Sequence, residues 1–214
     1  MDLVSFVNSD SGRYVLVLCS YMIGSIPFGL VLGKLKGVDV RQAGSKNIGA
    51  TNVTRQLGKG LGILTLIGDT GKGLLPMVII ASLLHGRADV ELWVVLGGGA
   101  AFLGHLYPLY LRFKGGKGVA TALGVFLYLD PLAALIDVLI FIGVVYNWGF
   151  VSLGSLTAAL MMPGLIWLLT GSLPYTGLAT VIGVLIWVKH HENIGRLMRH
   201  EEKSWRKSGD AGHG

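Results

Sequence analysis

The sequence predicts an all-α, polytopic integral membrane protein with seven transmembrane helices, and three observations carry that prediction. Hydrophobic residues fill 52% of the 214 positions and charged residues only 14%, against roughly 25% charged in an ordinary soluble domain. The apolar residues come in blocks of about membrane-spanning length rather than in amphipathic stripes. The basic residues gather in alternate loops between those blocks, the bias that sets orientation in a bilayer.

The blocks run over 14–34, 61–84, 91–111, 118–129, 132–147, 150–170 and 174–190. The first is expected to be a retained helix, because Asp2 and Asp10 precede it where a cleaved signal carries Lys or Arg. Cys19 within it is the single cysteine, which excludes an intrachain disulfide and a cysteine metal site, and it reads as buried packing. The second block contains Asp69 and Lys72, three apart. Ionisable groups at membrane depth point to function, and this pair reads equally well as self-neutralising structural glue. The fourth block is too short to cross ~30 Å of hydrocarbon at about 1.5 Å per residue. It ends at Asp130-Pro131, since the residue before proline avoids the helical region. Asp137 in the fifth block has no sequence partner and takes no assigned role. The 33 glycines suit close helix approach in lipid.

Orientation follows from Lys and Arg. Of the 18 basic residues, 15 fall in three stretches: Lys34 to Lys59, Arg112 to Lys117, and Lys189 to Lys207. The alternate loops hold only Arg13 and Arg87. Keeping the basic stretches cytoplasmic puts the N-terminus outside and the C-terminus inside, a parity that seven crossings satisfy. The net charge of +6 then serves topology and anionic lipid or substrate rather than nucleic acid. Residues 1–208 read as a single domain and 209–214 as a frayed tail.

Three polar motifs fall at the inner face. GSKNIGATNVTR (Gly44 to Arg55) is dense in glycine, hydroxyls and amides. Such a segment forms either an anion-binding nest with Arg55 as a planar phosphate fork, or an interfacial loop with helix caps at Ser45 or Thr51. GHLYPLYLRFKGGKGVAT (Gly104 to Thr121) joins Lys114 and Lys117 to Gly115, Gly116 and Gly118 just ahead of an apolar helix. Amides and dipole at a helix start favour an oxyanion, and glycine lets it approach the backbone. It is not a Walker A loop, since no Ser or Thr follows the lysine; the bland alternative is a topology-setting loop. In KHHENIGRL (Lys189 to Leu197), a continued helix would align His190, Asn193 and Arg196 on one face. Lys189 and His191 read as a snorkelling helix end.

Other chemistries are missing. There is no His-x-x-x-x-Asp of thioester-dependent acyltransferases; His85 and Asp89 have the wrong spacing. There is no GxSxG elbow and no metal-ligand spacing, so no metal and no cofactor are expected.

Together the three motifs resemble those of the PlsY family, the bacterial acyl-phosphate:glycerol-3-phosphate acyltransferases. The family pattern GSGNxGATNxxR reads here GSKNIGATNVTR, GHxxPxxLxFKGGKGVAT reads GHLYPLYLRFKGGKGVAT, and HxENIxRL reads HHENIGRL; Asp69-x-x-Lys72-Gly73 also fits. Two positions depart: Lys46 replaces a usual glycine, and His200 stands where glycine is common ahead of Glu202.

The resemblance implies a seven-helix, multi-pass protein of the bacterial inner membrane with its active site facing the cytoplasm. It implies transfer of a fatty acyl group from acyl phosphate to the sn-1 hydroxyl of glycerol 3-phosphate. The products are lysophosphatidic acid and phosphate, at the first step of phospholipid biosynthesis. The catalytic candidates are Ser45, Arg55, Lys117, His190 and Asn193. The substrate-binding candidates are Asn47, Gly49, Thr51 and Asn52 in the first motif, and Asp69 and Lys72 in the second block. They continue with His105, Lys114, Gly115, Gly116, Gly118 and Thr121 in the second motif, and Glu192 and Arg196 in the third. Partners are the two substrates and membrane lipid, with functional coupling to an acyl-phosphate-producing enzyme and to the next acyltransferase.

An acyl phosphate is already activated, so no covalent intermediate is required. The task is to screen two mutually repelling anions and align hydroxyl with carbonyl. On this reading the Lys114–Gly118 loop holds the acyl phosphate head, and Ser45, Arg55, Lys117, His190 and Asn193 hold glycerol 3-phosphate. The base is a substrate phosphate oxygen or a side chain such as His190 or Glu192. A transporter of a phosphorylated anion is the main rival, disfavoured because no internal repeat is visible. A scaffold for lipid-synthesis enzymes would tolerate changes in the Gly and Lys motifs. A phosphatidyltransferase would need carboxylates around a metal.

Overall fold

The computed structural model describes residues 3–206, and among them the regular elements are helices throughout. The expected tail 209–214 lies outside the described residues. The chain divides after Tyr128 into two compact units.

The first unit opens with a short helix, α1 (Leu3–Asn8), and continues with α2 (Asp10–Gly24) and α3 (Phe28–Leu35). The single helix expected over 14–34 is instead two helices meeting at 41° across Ser25–Pro27. Pro27 is the cause: it brings no N–H, its ring clashes with the carbonyl four residues back, and it drives Ile26 out of the helical region. The basic loop then folds into α4 (Ala50–Leu57), followed by α5 (Lys59–Leu83), α6 (Val90–Leu106), a 3-10 turn (Leu109–Leu111) and α7 (Val119–Leu129).

Helix α6 packs against both α2 and α5. The α2–α6 contact is backbone against backbone: a Cβ on Gly24 would overlap the Ala101 carbonyl, and one on Gly104 would overlap the Tyr21 carbonyl. This close approach is what small residues provide where lipid offers no hydrophobic drive between helices. Cys19, expected as buried packing, is exposed on α2 with Tyr14, Val15 and Leu18. An apolar face left open in a membrane protein faces acyl chains, which accept a thiol as readily as a core does.

Both arginines outside the basic stretches converge on one carboxylate. Asp89 accepts from Arg13 Nη1 at 2.8 Å, Arg87 Nε at 2.8 Å and Trp93 Nε1 at 3.0 Å. The Arg87 and Trp93 hydrogen bonds hold the Asp89 carboxyl well below the usual carboxylate range. The bonds pin the start of α2 to the start of α6.

The second unit is α8 (Pro131–Trp148), α9 (Val151–Thr170), α10 (Leu173–Lys189) and α11 (His191–Met198), with α9 packed between α8 and α10. Asp130 is extended and caps α8, accepting from Ala133 N at 2.6 Å, so the Asp130-Pro131 stop falls where the sequence puts it. Asp137 is buried on α8, and its Oδ1 has no hydrogen-bond partner among the described residues.

Among the described residues, four helices are long and apolar enough to cross a membrane: Lys59–Leu83, Val90–Leu111, Pro131–Trp148 and Val151–Thr170. Two bent pairs, Asp10–Gly24 with Phe28–Leu35 and Leu173–Lys189 with His191–Met198, pass the same test jointly. Helix Val119–Leu129 is apolar but short; at about 1.5 Å per residue it falls well under the hydrocarbon thickness.

Candidate active site

The first motif is a loop folded around one amide. Asn52, on α4 and 1% exposed, accepts from Ser45 N at 2.9 Å. Its Nδ2 donates to the carbonyls of Val40 at 2.8 Å and Asn47 at 2.7 Å. Both ends of the side chain are thus engaged in closing the loop. Gln56, one turn further along α4, reinforces it by donating to Ala43 O at 2.9 Å. Asn47 Oδ1 accepts from Gly49 N at 2.8 Å, and Gly49 caps α4. The caps considered at Ser45 and Thr51 do not form: the N-cap is Gly49 without a side-chain bond, and Thr51 lies inside the helix. Ser45 and Thr51 are exposed and Arg55 half-buried. Gly44 and Lys46 adopt positive φ, 64° and 57°. For Lys46 that is the left-handed region where glycine is at ease, which explains the glycine of the family pattern.

The second motif lies over the end of α6. Gly116 N donates to the His105 carbonyl at 3.1 Å. A Cβ on Gly115 would overlap that same carbonyl and the Pro108 ring, and one on Gly116 would overlap His105 Nε2. Gly118, at φ 86°, sits against Phe102 and Leu106. These glycines are therefore required first by the packing of the loop on α6. The loop hands over to α7 at Val119, whose first-turn amides have no intrahelical acceptor. Lys114 is exposed, Lys117 half-buried, and Thr121 fully buried on α7.

Beneath this loop lies the intramembrane pair. Lys72 Nζ is 2.8 Å from Asp69 Oδ1, and His105 Nδ1 is 3.6 Å from the same oxygen. Asp69, Lys72 and His105 thus form one buried cluster.

In the second unit the helix does not run on through the third motif. α10 stops at Lys189 and α11 starts at His191, bent by 58°. His190 sits at the bend and is 3% exposed. Its Nδ1 is 2.8 Å from the Ile186 carbonyl. A carbonyl only accepts, so Nδ1 carries a proton and Nε2 is the basic position of the neutral ring.

Asn193 and Arg196, three apart on α11, both reach Glu202. Asn193 Nδ2 donates to Oε1 at 2.7 Å, and Arg196 Nε to Oε2 at 2.7 Å. Ser152 Oγ, on α9, donates to Oε1 at 2.7 Å. A carboxylate only accepts, so the Asn193 amide is oriented nitrogen-first toward Glu202. Burial alone would raise the Glu202 pKa, but the hydrogen bonds from Ser152, Arg196 and Asn193 outweigh it and the net shift is downward. Glu192 is exposed, 3.9 Å from Arg196. Sequence reasoning left Glu202, Ser152 and Gln56 out of the site. Gln56 had a visible signal, four residues from Asn52 on one helix face; Glu202 was marked only as the acidic residue following His200 in the family pattern, and Ser152, 50 residues from it, had no signal. Among the described residues, no group of three or more His, Cys, Asp or Glu could hold a metal ion.

The family model for glycerol-3-phosphate acyltransferase matches residues 14–200, and the chain belongs to that family. It is an acyltransferase by membership. The glycerol-3-phosphate acyltransferase of Desulfotalea psychrophila is 53% identical over 194 residues, 91% of this chain and 98% of the relative. That of Geotalea daltonii is 48% identical over 197 residues, 92% and 100% of the two chains. Among solved structures, the fold is similar to crystal forms of PlsY (YgiH), an integral membrane glycerol 3-phosphate acyltransferase. The glycerol 3-phosphate form superposes with a TM-score of 0.85 at 42% identity, covering 90% of this chain and 95% of that one. The lysophosphatidic acid form gives 0.83 at 42% identity, covering 90% and 94%.

Proposed function

We propose that this protein transfers a fatty acyl group from acyl phosphate to the sn-1 hydroxyl of glycerol 3-phosphate, releasing 1-acylglycerol 3-phosphate and inorganic phosphate. The observation that carries the reading is the likeness to one solved enzyme in both a glycerol 3-phosphate form and a lysophosphatidic acid form. Those two molecules are the acceptor and the product of a single acylation.

The hydroxyl oxygen attacks the acyl carbonyl carbon, the bond from that carbon to the phosphate oxygen breaks, and phosphate departs with the bonding electrons. The hydroxyl proton passes to a phosphate oxygen or to His190 Nε2. Catalytic roles are proposed for Ser45, Arg55, Lys117, His190 and Asn193, on their chemistry and motif match. The Lys114–Gly118 loop, with its two cations and the first-turn amides of α7, is proposed to bind a substrate phosphate. Asn47, Gly49, Thr51, Thr121, Glu192 and Arg196 join the proposed substrate-binding set, with Asn52 shaping the loop.

The reaction is proposed to run at the cytoplasmic face of a bacterial inner membrane. Seven crossings with an outside N-terminus keep the three basic stretches on that side. Residues 1–208 act as one functional domain, and the product passes to a second acyltransferase.

The test is to incubate purified enzyme with acyl phosphate and labelled glycerol 3-phosphate, without thioester and with a chelator present. Labelled lysophosphatidic acid is the expected product; none, or product only with thioester, removes the donor assignment. Lys117→Ala assayed against each substrate in turn assigns the loop to one of the two phosphates.

A further inference from the structure

Asp69 and Lys72 lie three apart on α5, so their side chains leave one face of the helix. Both are 2% exposed and His105 is 3% exposed. The Lys72 ammonium does two things. It stands 2.8 Å from Asp69 Oδ1, and it donates to the Ile26 carbonyl at 2.6 Å. Ile26 lies in the break that Pro27 imposes between α2 and α3, so this bond ties α5 to the bend; the Phe28 ring lies 5.9 Å away.

Burying two charges costs desolvation on both. An ion pair in apolar surroundings is often no more stable than well-packed neutral residues of the same volume. As glue alone, Asp69 and Lys72 would need no third partner. A third group nonetheless stands beside them: the same Asp69 oxygen faces His105 Nδ1 at 3.6 Å, an electrostatic approach longer than a hydrogen bond. The other edge of that imidazole is the surface on which Gly116 rests, and the His105 carbonyl takes the Gly116 N–H. The series runs from the bend in the first span through bonded Lys72 and Asp69, across the 3.6 Å approach to His105, and into the glycine–lysine loop.

We infer that Asp69, acting through the His105 imidazole, positions the Gly115–Gly116 segment of that loop, and that Lys72 anchors the carboxylate to the α2–α3 break. The inference rests on the reading that the loop binds a substrate phosphate. Asp69, Lys72 and His105, placed by their motifs among the substrate-binding residues, become positioning residues that lie behind the loop. The carboxylate fixes the rotation of the ring, and the ring fixes how closely Gly116 approaches α6. The segment next to Lys117 is thereby held in one conformation before substrate arrives.

The experiment compares purified wild type with the double variant D69N/K72M, which removes both charges at once and leaves no orphaned ion. Melting temperature, kcat and the KM for each substrate are measured. The expected result is a melting temperature close to wild type with at least about a tenfold rise in the KM for one phosphate substrate, or an equal fall in kcat, the size of effect that follows from small misplacement. Wild-type kinetics in a folded double variant would show the pair to be glue and overturn the inference. If that variant does not fold, His105→Asn replaces it. The shorter amide keeps a nitrogen near the Nδ1 position facing Asp69, leaves the ion pair intact and removes the ring beneath Gly116. The same kinetic defect supports the inference, and wild-type kinetics overturn it. Lys117→Ala in the same assays separates the two readings. A damaged Lys117→Ala enzyme beside an undamaged double variant overturns the positioning role alone, whereas an undamaged Lys117→Ala enzyme overturns the loop reading and the inference with it.

Discussion

Gly116 rests on the imidazole of His105: its N–H donates to the His105 carbonyl at 3.1 Å, and a Cβ in its place would overlap Nε2. At Gly115 the obstacle is different, the His105 carbonyl itself and the Pro108 ring. Backbone and proline cannot swing aside, but a side-chain ring can. Gly115→Ala is therefore expected to lose about a hundredfold in kcat/KM, from displacement of the loop by an ångström or so. Gly116→Ala is expected to lose clearly less, because the ring can rotate away at the cost of its orientation toward Asp69. Steady-state kinetics on the two purified variants check the order, and the reverse order would mean that the glycines serve ligand approach before packing.

Lys46 and His200 both sit at positive φ, 57° and 58°, at the two positions where the family pattern favours glycine. A side chain in the left-handed region costs roughly 1–2 kcal/mol, and glycine gives part of that back through its freer unfolded chain. Lys46→Gly and His200→Gly should each stabilise by about 0.5–1 kcal/mol, a rise of about 2–4 °C in melting temperature per kcal/mol at this chain length. Thermal unfolding in detergent measures it. A lower melting temperature for Lys46→Gly would show that the lysine holds the turn through contacts that outweigh the backbone cost.

The sequence made the apolar blocks legible because lipid imposes length and composition on a helix, and both are local properties. Asp130-Pro131 was legible for the same reason. Pro27 was an ambiguous signal: the helix breaks there, yet Pro76 and Pro163 lie inside the unbroken helices α5 and α9, so a proline within an apolar block does not by itself mark a break. The bend at His190 had no such mark: Lys189-His190-His191 contains neither glycine nor proline. The loop architecture was least legible. Asn52 reaches Val40, 12 residues back, and Ser152 reaches Glu202, 50 residues on. Residue type named these groups as polar, but only the fold decides which of them shape the loops and which face a substrate.

His190 separates its two nitrogens by role. Nδ1 bonds the Ile186 carbonyl at 2.8 Å and holds the ring, which makes Nε2 the nitrogen that can take a proton. In His190→Asn the side-chain amide can keep the bond to Ile186 while Nε2 is lost. The variant is expected to fold normally and lose about 10²–10⁴-fold in kcat if Nε2 takes the hydroxyl proton. Retained turnover would assign that proton to a substrate phosphate oxygen.

Glu202 is where acid should act on the second unit. Its carboxylate is held by Ser152, Asn193 and Arg196, each at 2.7 Å. These bonds bring its pKa below the ordinary glutamate value of 4.5 despite the raising effect of burial. A carboxyl whose folded pKa is depressed contributes stability that is complete above its unfolded value and is lost as pH falls through its folded value. Glu202→Gln removes the charge and keeps the shape, so it loses this contribution at neutral pH and has none left to lose in acid. The melting temperatures of wild type and Glu202→Gln should therefore be well separated at neutral pH and draw together as pH falls below the ordinary glutamate value. Melting curves across that range check the prediction; a separation that stays constant into acid would mean that shape and packing, rather than the charge of Glu202, hold Asn193 and Arg196 in place.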